Sequence, residues 1–358
     1  MPEIPRIDRR RMLQALLGAA TVPLLDPPLA AARTASSSAP SRPVVFPWLS
    51  RHDSAGLASL TRHGAQMTAL SPSWFDMGPD LTIGGSVEPE VLSIARQHNL
   101  ALHPIIQNRA FDPKVAAHIL ATPSSRARAA GAIATLVLGH DFAGINLDFE
   151  GTFGASRDAY SDFVTRLADR LRPAGKWVTV DVVPQTRPLS SYAVTSWAAP
   201  FDFTALGQAC NAVILMAYAY SGRSPGPISP LWWVKQVIAH ARTQVPARSL
   251  VVGLPFYGLH WITNGGKTTM TDLTQDAALR LLAQSGAVLQ RPPRDATPSF
   301  SWQDAQGQHV VHFEDQQSLT AKLCLVRAER IKGVAFWRLG REATSQWSAI
   351  SGWSDSWV

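Results

Sequence analysis

Cysteine is almost absent from this chain. Its 358 residues include two, Cys210 and Cys324, and no C-x-x-C pair. That spacing excludes a cysteine-built zinc site, and it leaves either one disulfide or two free thiols open. Clustered basic charge is also missing. The formal net charge is +7, yet no block of five or six Lys or Arg follows residue 12. A basic protein of this kind suits an acidic polymer, whereas a dedicated nucleic-acid surface is not expected. After the N-terminal region no segment has 18 uninterrupted apolar residues, so no membrane span is expected. No glycine-rich loop follows an apolar run, which counts against nucleotide binding. Neither H-E-x-x-H nor a carboxylate cage is present, so neither a metal nor another cofactor is expected. Disorder is excluded by a composition that is 46% hydrophobic and only 16% charged.

The N-terminus has the pattern of an address. Asp8-Arg9-Arg10-Arg11-Met12-Leu13-Gln14 places an arginine pair ahead of a mostly apolar stretch, Met12 to Leu25. The pattern is similar to a twin-arginine export signal, and the stretch is too short to span a membrane. Ala30-Ala31-Ala32 offers a cleavage site. The reading is a signal peptide over 1–32, an Ala/Ser/Pro-rich linker over 33–43, and a mature protein from 44 to 358 that is secreted or held in the cell envelope.

Short apolar runs then alternate with helical spacing. Strands are expected at Val44–Phe46, Met67–Trp74, Leu100–Ile106, Phe142–Phe149, Trp177–Val183, Ala212–Tyr218, Leu250–Phe256 and Gly333–Trp337. Helices are expected at Ser54–His63, Pro89–His98, Ser124–Leu138 and Arg157–Leu171. Apolar strands separated by helices favour parallel pairing through crossovers. At this length the fold class is α/β, a closed (β/α)8 TIM barrel, with a doubly wound open sheet as the alternative. The spacing breaks over about 258–315. There Pro298–Trp302 and Gln308–Phe313 are strand-like around a turn at Asp304–Gly307, so a small α+β insertion is expected between strands seven and eight. It carries Trp261 and Trp302, which either wall a cleft or form the insertion's own core.

The sharpest chemistry lies in Ala143-Gly-Ile-Asn146-Leu-Asp148-Phe-Glu150-Gly151. Strand side chains alternate, so Asn146, Asp148 and Glu150 share one face while Ile145, Leu147 and Phe149 take the other. Neighbouring carboxyl groups in a dry site push their pKa values apart, which lets one stay protonated as a general acid. A hydrogen-bonded polar plug is the alternative use of such residues.

The stretch resembles the catalytic strand of family 18 glycoside hydrolases, D-G-x-D-x-D-x-E with variants. Three further motifs agree in order. Met216-Ala217-Tyr218 is similar to the family's M-x-Y, Gly253-Leu254-Pro255-Phe256-Tyr257-Gly258 to its G-x-P-x-Y-G, and Gly333–Gly340 to its strand eight ending in Trp337. The resemblance covers about 44–345 and is strongest to the spore-germination and cortex-lytic branch. Ala143 and Asn146 replace two aspartates, and Ala219 stands where many relatives have Asp.

The resemblance implies a β-N-acetylglucosaminidase acting on peptidoglycan or a chitin-like polymer by a retaining, substrate-assisted mechanism. With the N-terminal signal the expectation is an exported enzyme, and a monomer is expected. Glu150 would be the acid and base. Asp148 would orient the substrate acetamido group, helped by Tyr218, and Asn146 would hydrogen-bond Asp148. Trp337 would floor the pocket, with Met216 and Tyr257 beside it and Trp74 and Asn108 lining the cleft. Asp181 and Gln185 are further cleft candidates. The alternative is a catalytically silent, chitinase-like glycan-binding protein.

Overall fold

The structure is a computed structural model that describes residues 42–152 and 156–357. The expected signal peptide, and all of the expected linker before Arg42, lie outside the described residues.

The barrel is built from β1 (Val44–Leu49), β2 (Ala69–Pro72), β3 (Phe75–Met77), β5 (Ala101–Leu102), β6 (Ile105–Asn108), β7 (Gly144–Asp148), β8 (Trp177–Val182), β9 (Ala212–Met216), β10 (Leu250–Pro255) and β15 (Gly333–Trp337). A short strand, β4 (Ile83–Gly85), adds antiparallel to β3. All other pairings in this sheet are parallel, in the order β3-β6-β7-β8-β9-β10-β15-β1-β2-β5.

That order closes a ring, because β2 and β3 are two halves of barrel strand two, and β5 and β6 are two halves of strand three. The β2–β5 pair and the β3–β6 pair join the same two barrel positions. The sequence pattern predicts strand three as one run, which the structure interrupts at His103–Pro104. It ends strand two at Trp74, whereas the structure ends β2 at Pro72 and resumes with β3 at Phe75. Pro104 has no N–H to donate to a ladder, while its carbonyl accepts from the Asn146 N–H at 2.9 Å.

The helices follow their signals. Asp53 caps Ser54–His63 by accepting from the N–H groups of Ala55 and Gly56, each at 3.1 Å. Thr122 and Ser125 form a capping box around Pro123, so that helix starts at Pro123 rather than Ser124. Arg157–Leu171 buries Tyr160, Phe163, Val164, Leu167 and Leu171, a single apolar stripe at helical spacing. Phe149 meets Phe163 of that helix with ring centres 5.4 Å apart. The outward face of β7 is therefore core, and its inward face is left to the polar residues.

The insertion forms a separate antiparallel sheet of β11 (Gly258–Asn264), β12 (Lys267–Leu273), β13 (Ser299–Asp304) and β14 (Gly307–His312), ordered β12-β11-β14-β13 and accompanied by a helix, Gln275–Ser285. Gly265 and Gly266 form the two-residue turn between β11 and β12 with φ of 56° and 77°. Positive φ at both positions is the requirement of a type I′ hairpin, which glycine meets without strain. One face of β11 joins the barrel core through Leu259 and Trp261, both buried. The other side builds a small core from Leu273, Ala278, Phe300, Val311 and Phe313.

Both cysteines are free: Cys210 is buried and Cys324 exposed. Among the described residues no helix is long and apolar enough to cross a membrane.

Candidate active site

Parallel closure places the ends of all barrel strands on one face, where their loops meet. Asn146 and Asp148 climb the inward side of β7 toward that face, Glu150 follows two residues beyond the strand's end, and all three are buried. Asn146 lies deepest. Its Nδ2 donates to Asp181 Oδ2 at 2.7 Å, and its Oδ1 accepts from the Thr179 hydroxyl at 2.6 Å. Both partners are on β8, so the amide that the resemblance directs at Asp148 bolts β7 to the neighbouring strand through Asp181 and Thr179. Asp181 thereby belongs to the polar layer under the carboxyl pair. Gln185 is elsewhere: fully buried, it donates to the carbonyls of Ala198 and Phe201 at 3.0 and 2.7 Å and braces a loop.

Two residues expected to line the cleft have structural positions instead. Asn108 is wholly buried, and its amide grips the Glu150 backbone and the Asp112 carbonyl. Trp74 is also wholly buried. Its indole N–H donates to Glu88 at 2.9 Å, and its rings pack on Phe75 and Phe142. Neither position was betrayed by the sequence, because a residue at a strand end can turn toward the cleft or the wall.

The opposite wall of the site is aromatic. Trp337, half-buried at the end of β15, meets Trp48 at 6.0 Å between ring centres, and Trp48 meets Tyr218 edge-on at 6.2 Å. Trp48, fully buried at the end of β1, was missed by sequence reasoning, and Gly253, on β10, was read only as part of a motif. A Cβ at Gly253 would lie 3.0 Å from Trp48 and 3.3 Å from Tyr218, so the glycine makes room for both rings. Met216 pairs with Gly253 across β9 and β10. Tyr257 is buried just beyond β10.

The loop that follows Trp337 is pinned by an ion pair of Arg338 with Asp53, and Arg341 ties the same loop to Asp272 of β12 at 2.9 Å. Burial, with Arg341 nearby, lowers the Arg338 guanidinium to about 10. Behind β7, burial above all, then Cys210 and the charges of Asp148 and Asp181, pushes the Tyr160 hydroxyl well above its usual range.

Trp261 is fully buried, which makes it core rather than cleft wall. Trp302 is half-buried and stacks on His309 and His260, with ring centres 4.2 and 5.3 Å away. Among the described residues no group of three His, Cys, Asp or Glu is placed to hold a metal ion.

Similarity to known proteins agrees with this geometry. Residues 112–342 match the profile of glycosyl hydrolases family 18. The chain is similar to the cortical fragment-lytic enzyme of Bacillus subtilis, 29% identical over 267 residues, which cover 72% of this chain and 61% of that protein. It is also similar to the uncharacterized glycosylase YvbX of Bacillus subtilis, 25% identical over 306 residues, covering 83% of this chain and 88% of that one. Two of the curated relatives are spanned over only 54% and 61% of their lengths.

In fold, the chain is similar to the spore cortex-lytic enzyme SleL of Bacillus megaterium, with a TM-score of 0.79 at 23% identity, covering 86% of this chain and 73% of that one. A chitinase from Chromobacterium violaceum gives a TM-score of 0.80 at 23% identity, covering 87% and 98%. The profile match takes in the acidic strand, the M-x-Y tyrosine and the strand-eight tryptophan together, so the chain belongs to family 18 of the glycosyl hydrolases.

Proposed function

We propose that this chain is an exported glycosidase that cleaves β-linked N-acetylglucosamine in peptidoglycan by a retaining, substrate-assisted mechanism. The observation that carries the reading is that Asp148 ends β7 and Glu150 follows two residues later, both buried, with the Glu150 backbone held by Asn108. Glu150 donates its proton to the glycosidic oxygen. The substrate's own acetamido carbonyl attacks the anomeric carbon, which is the route that replaces a protein nucleophile in this family. Asp148 orients the amide and stabilises the positive charge that develops on it, and the Tyr218 hydroxyl holds the same group. Glu150 then takes a proton from the water that opens the intermediate. Trp337 supplies an apolar surface for the sugar. A wall polymer, rather than chitin, is favoured by the cortical fragment-lytic relative and by the net charge of +7.

The test uses Glu150→Gln and two substrates, purified sacculi and chitin oligomers, with products identified by mass spectrometry. General acid catalysis is worth about 10²–10⁴-fold. The variant should lose at least that much turnover on sacculi while still binding them. A de-N-acetylated glycan should remain uncut. Wild-type turnover by Glu150→Gln, or equal cleavage of the de-N-acetylated glycan, overturns the mechanism. Cleavage of chitin oligomers alone overturns the substrate.

A further inference from the structure

We propose that the opposite mouth of the barrel, at the N-terminal ends of its strands, is a binding site for a small carboxylate with an apolar, aromatic-sized body. A cavity of about 580 Å³ opens there. Small-molecule sites commonly run from about 300 to 1,000 Å³. The bottom of such a barrel is ordinarily closed by branched side chains. Here Ala69, Ala101 and Ala212 occupy mouth positions, and the volume their methyl groups leave is the cavity.

The lining has two parts. Phe46, Trp177 and Ile214 supply apolar walls, and Arg248, Arg330 and Lys332 supply cations. Arg42 also lines the mouth and is paired with Asp355 at 3.2 Å. No carboxylate is among the lining residues. Lys332 Nζ lies 4.1 Å from the centre of the Trp177 ring, and its hydrogen bond to the Asn211 carbonyl is long, at 3.4 Å. A positive rim over an aromatic wall, with no anion of its own, fits an amphipathic anion. The planar guanidinium fork fits a carboxylate in particular.

A second observation is independent of the charge. His103 is 3% exposed, lines the same cavity, and its Nδ1 has no hydrogen-bond partner. Buried polar atoms are normally satisfied, so an orphan in a cavity wall marks a place for a ligand or water. Burial and the nearby Lys332 hold the His103 pKa at about 3, which makes the ring a neutral hydrogen-bonding group rather than a further cation.

The site also has a route to the catalytic strand. Thr179 lines the cavity and donates to Asn146, which donates to Asp181.

The probe is 1-naphthylacetate, compared with the neutral 1-naphthylacetamide and the cationic 1-naphthylmethylamine, each titrated calorimetrically. One molecule of the carboxylate should bind per chain. The amide should bind at least about tenfold more weakly, the discrimination expected of a hydrogen bond to a charged group, and the amine should not bind. Glu150→Gln should bind the carboxylate as wild type does, because the cleft is at the other end. The double variant Arg248→Gln/Arg330→Gln, at the surface, should weaken binding about tenfold or more without lowering Tm. Ala212→Leu should abolish binding by filling the mouth, and if it does not fold, the charge variant decides alone. Failure of the carboxylate to bind, equal binding of the amine, or binding that survives the charge variant overturns the proposal.

Discussion

Asn108 holds both sides of the Glu150 backbone. Its Nδ2 donates to the Glu150 carbonyl at 3.0 Å, and its Oδ1 accepts from the Glu150 N–H at 2.9 Å. One amide thus fixes the main chain of the proposed acid at the point where β7 ends and pairing no longer does so. Asn108→Ala leaves two buried polar groups unpaired, at about 1–3 kcal/mol each. Tm should fall, and kcat should fall about tenfold or more while KM for the polymer is unchanged. Asn108→Asp keeps the acceptor and should fall between the two. Equal loss in kcat and KM would show that Asn108 supports the fold without positioning Glu150.

Gly253 lies below two rings of the aromatic wall. A methyl group there meets the Leu215 carbonyl and Trp48 at 3.0 Å each and Tyr218 at 3.3 Å. Over-packing of this kind costs about 1–3 kcal/mol. Gly253→Ala should therefore lower Tm and displace Tyr218, with turnover falling more than the loss of folded protein explains. Circular dichroism melts and steady-state rates on the same preparation check this.

Burial lowers His312 to about 4, and burial with Lys332 lowers His103 to about 3. An unfolded histidine titrates near 6.5. Above that pH neither state is protonated and the two groups are silent. As pH falls below about 6.5 the unfolded chain takes up protons that the folded chain refuses, so stability falls down to the folded values. Tm should decline between pH 7 and pH 4, and His312→Gln should decline less steeply. A level wild-type Tm across that window would contradict the burial of both rings.

Burial pushes the Cys210 thiol up to about 12, while Cys324 is exposed. Thiolate is the reactive form. Ellman's reagent should titrate one thiol in the native protein and two in denaturant, with no reductant needed for either.

Much of the barrel is legible because its strands are apolar runs of the right length. Ser54–His63 and Arg157–Leu171 were readable to the residue from helical spacing, and the structure adds the Asp53 cap of the first and the buried apolar stripe of the second. The two-part build of strands two and three was not: Ser71-Pro72-Ser73 reads as the end of strand two, which hides β3 beyond it, and the single break at His103-Pro104 is flanked by apolar residues on both sides. Strand β12 was hidden for the opposite reason. Lys267-Thr-Thr-Met-Thr is exposed along its length and carries no alternation, although Asn264-Gly265-Gly266 was an available hairpin signal. At the site, alternation alone put Asn146, Asp148 and Glu150 on one face. Trp48 and Thr179 stayed unread, and Gly253 was read only as a motif residue, because each matters through a partner on another strand.

Only Phe256 and Tyr257 separate the end of β10 from the start of β11, and Leu259 and Trp261 are already part of the barrel core. The insertion therefore has no hinge and no surface of its own on that side. It is not a module that evolution or an engineer could lift out by cutting at its two ends. Excision would strip an indole and a leucine from the barrel's interior. Exchanging the insertion for another requires carrying β11 and its buried face along with the new part.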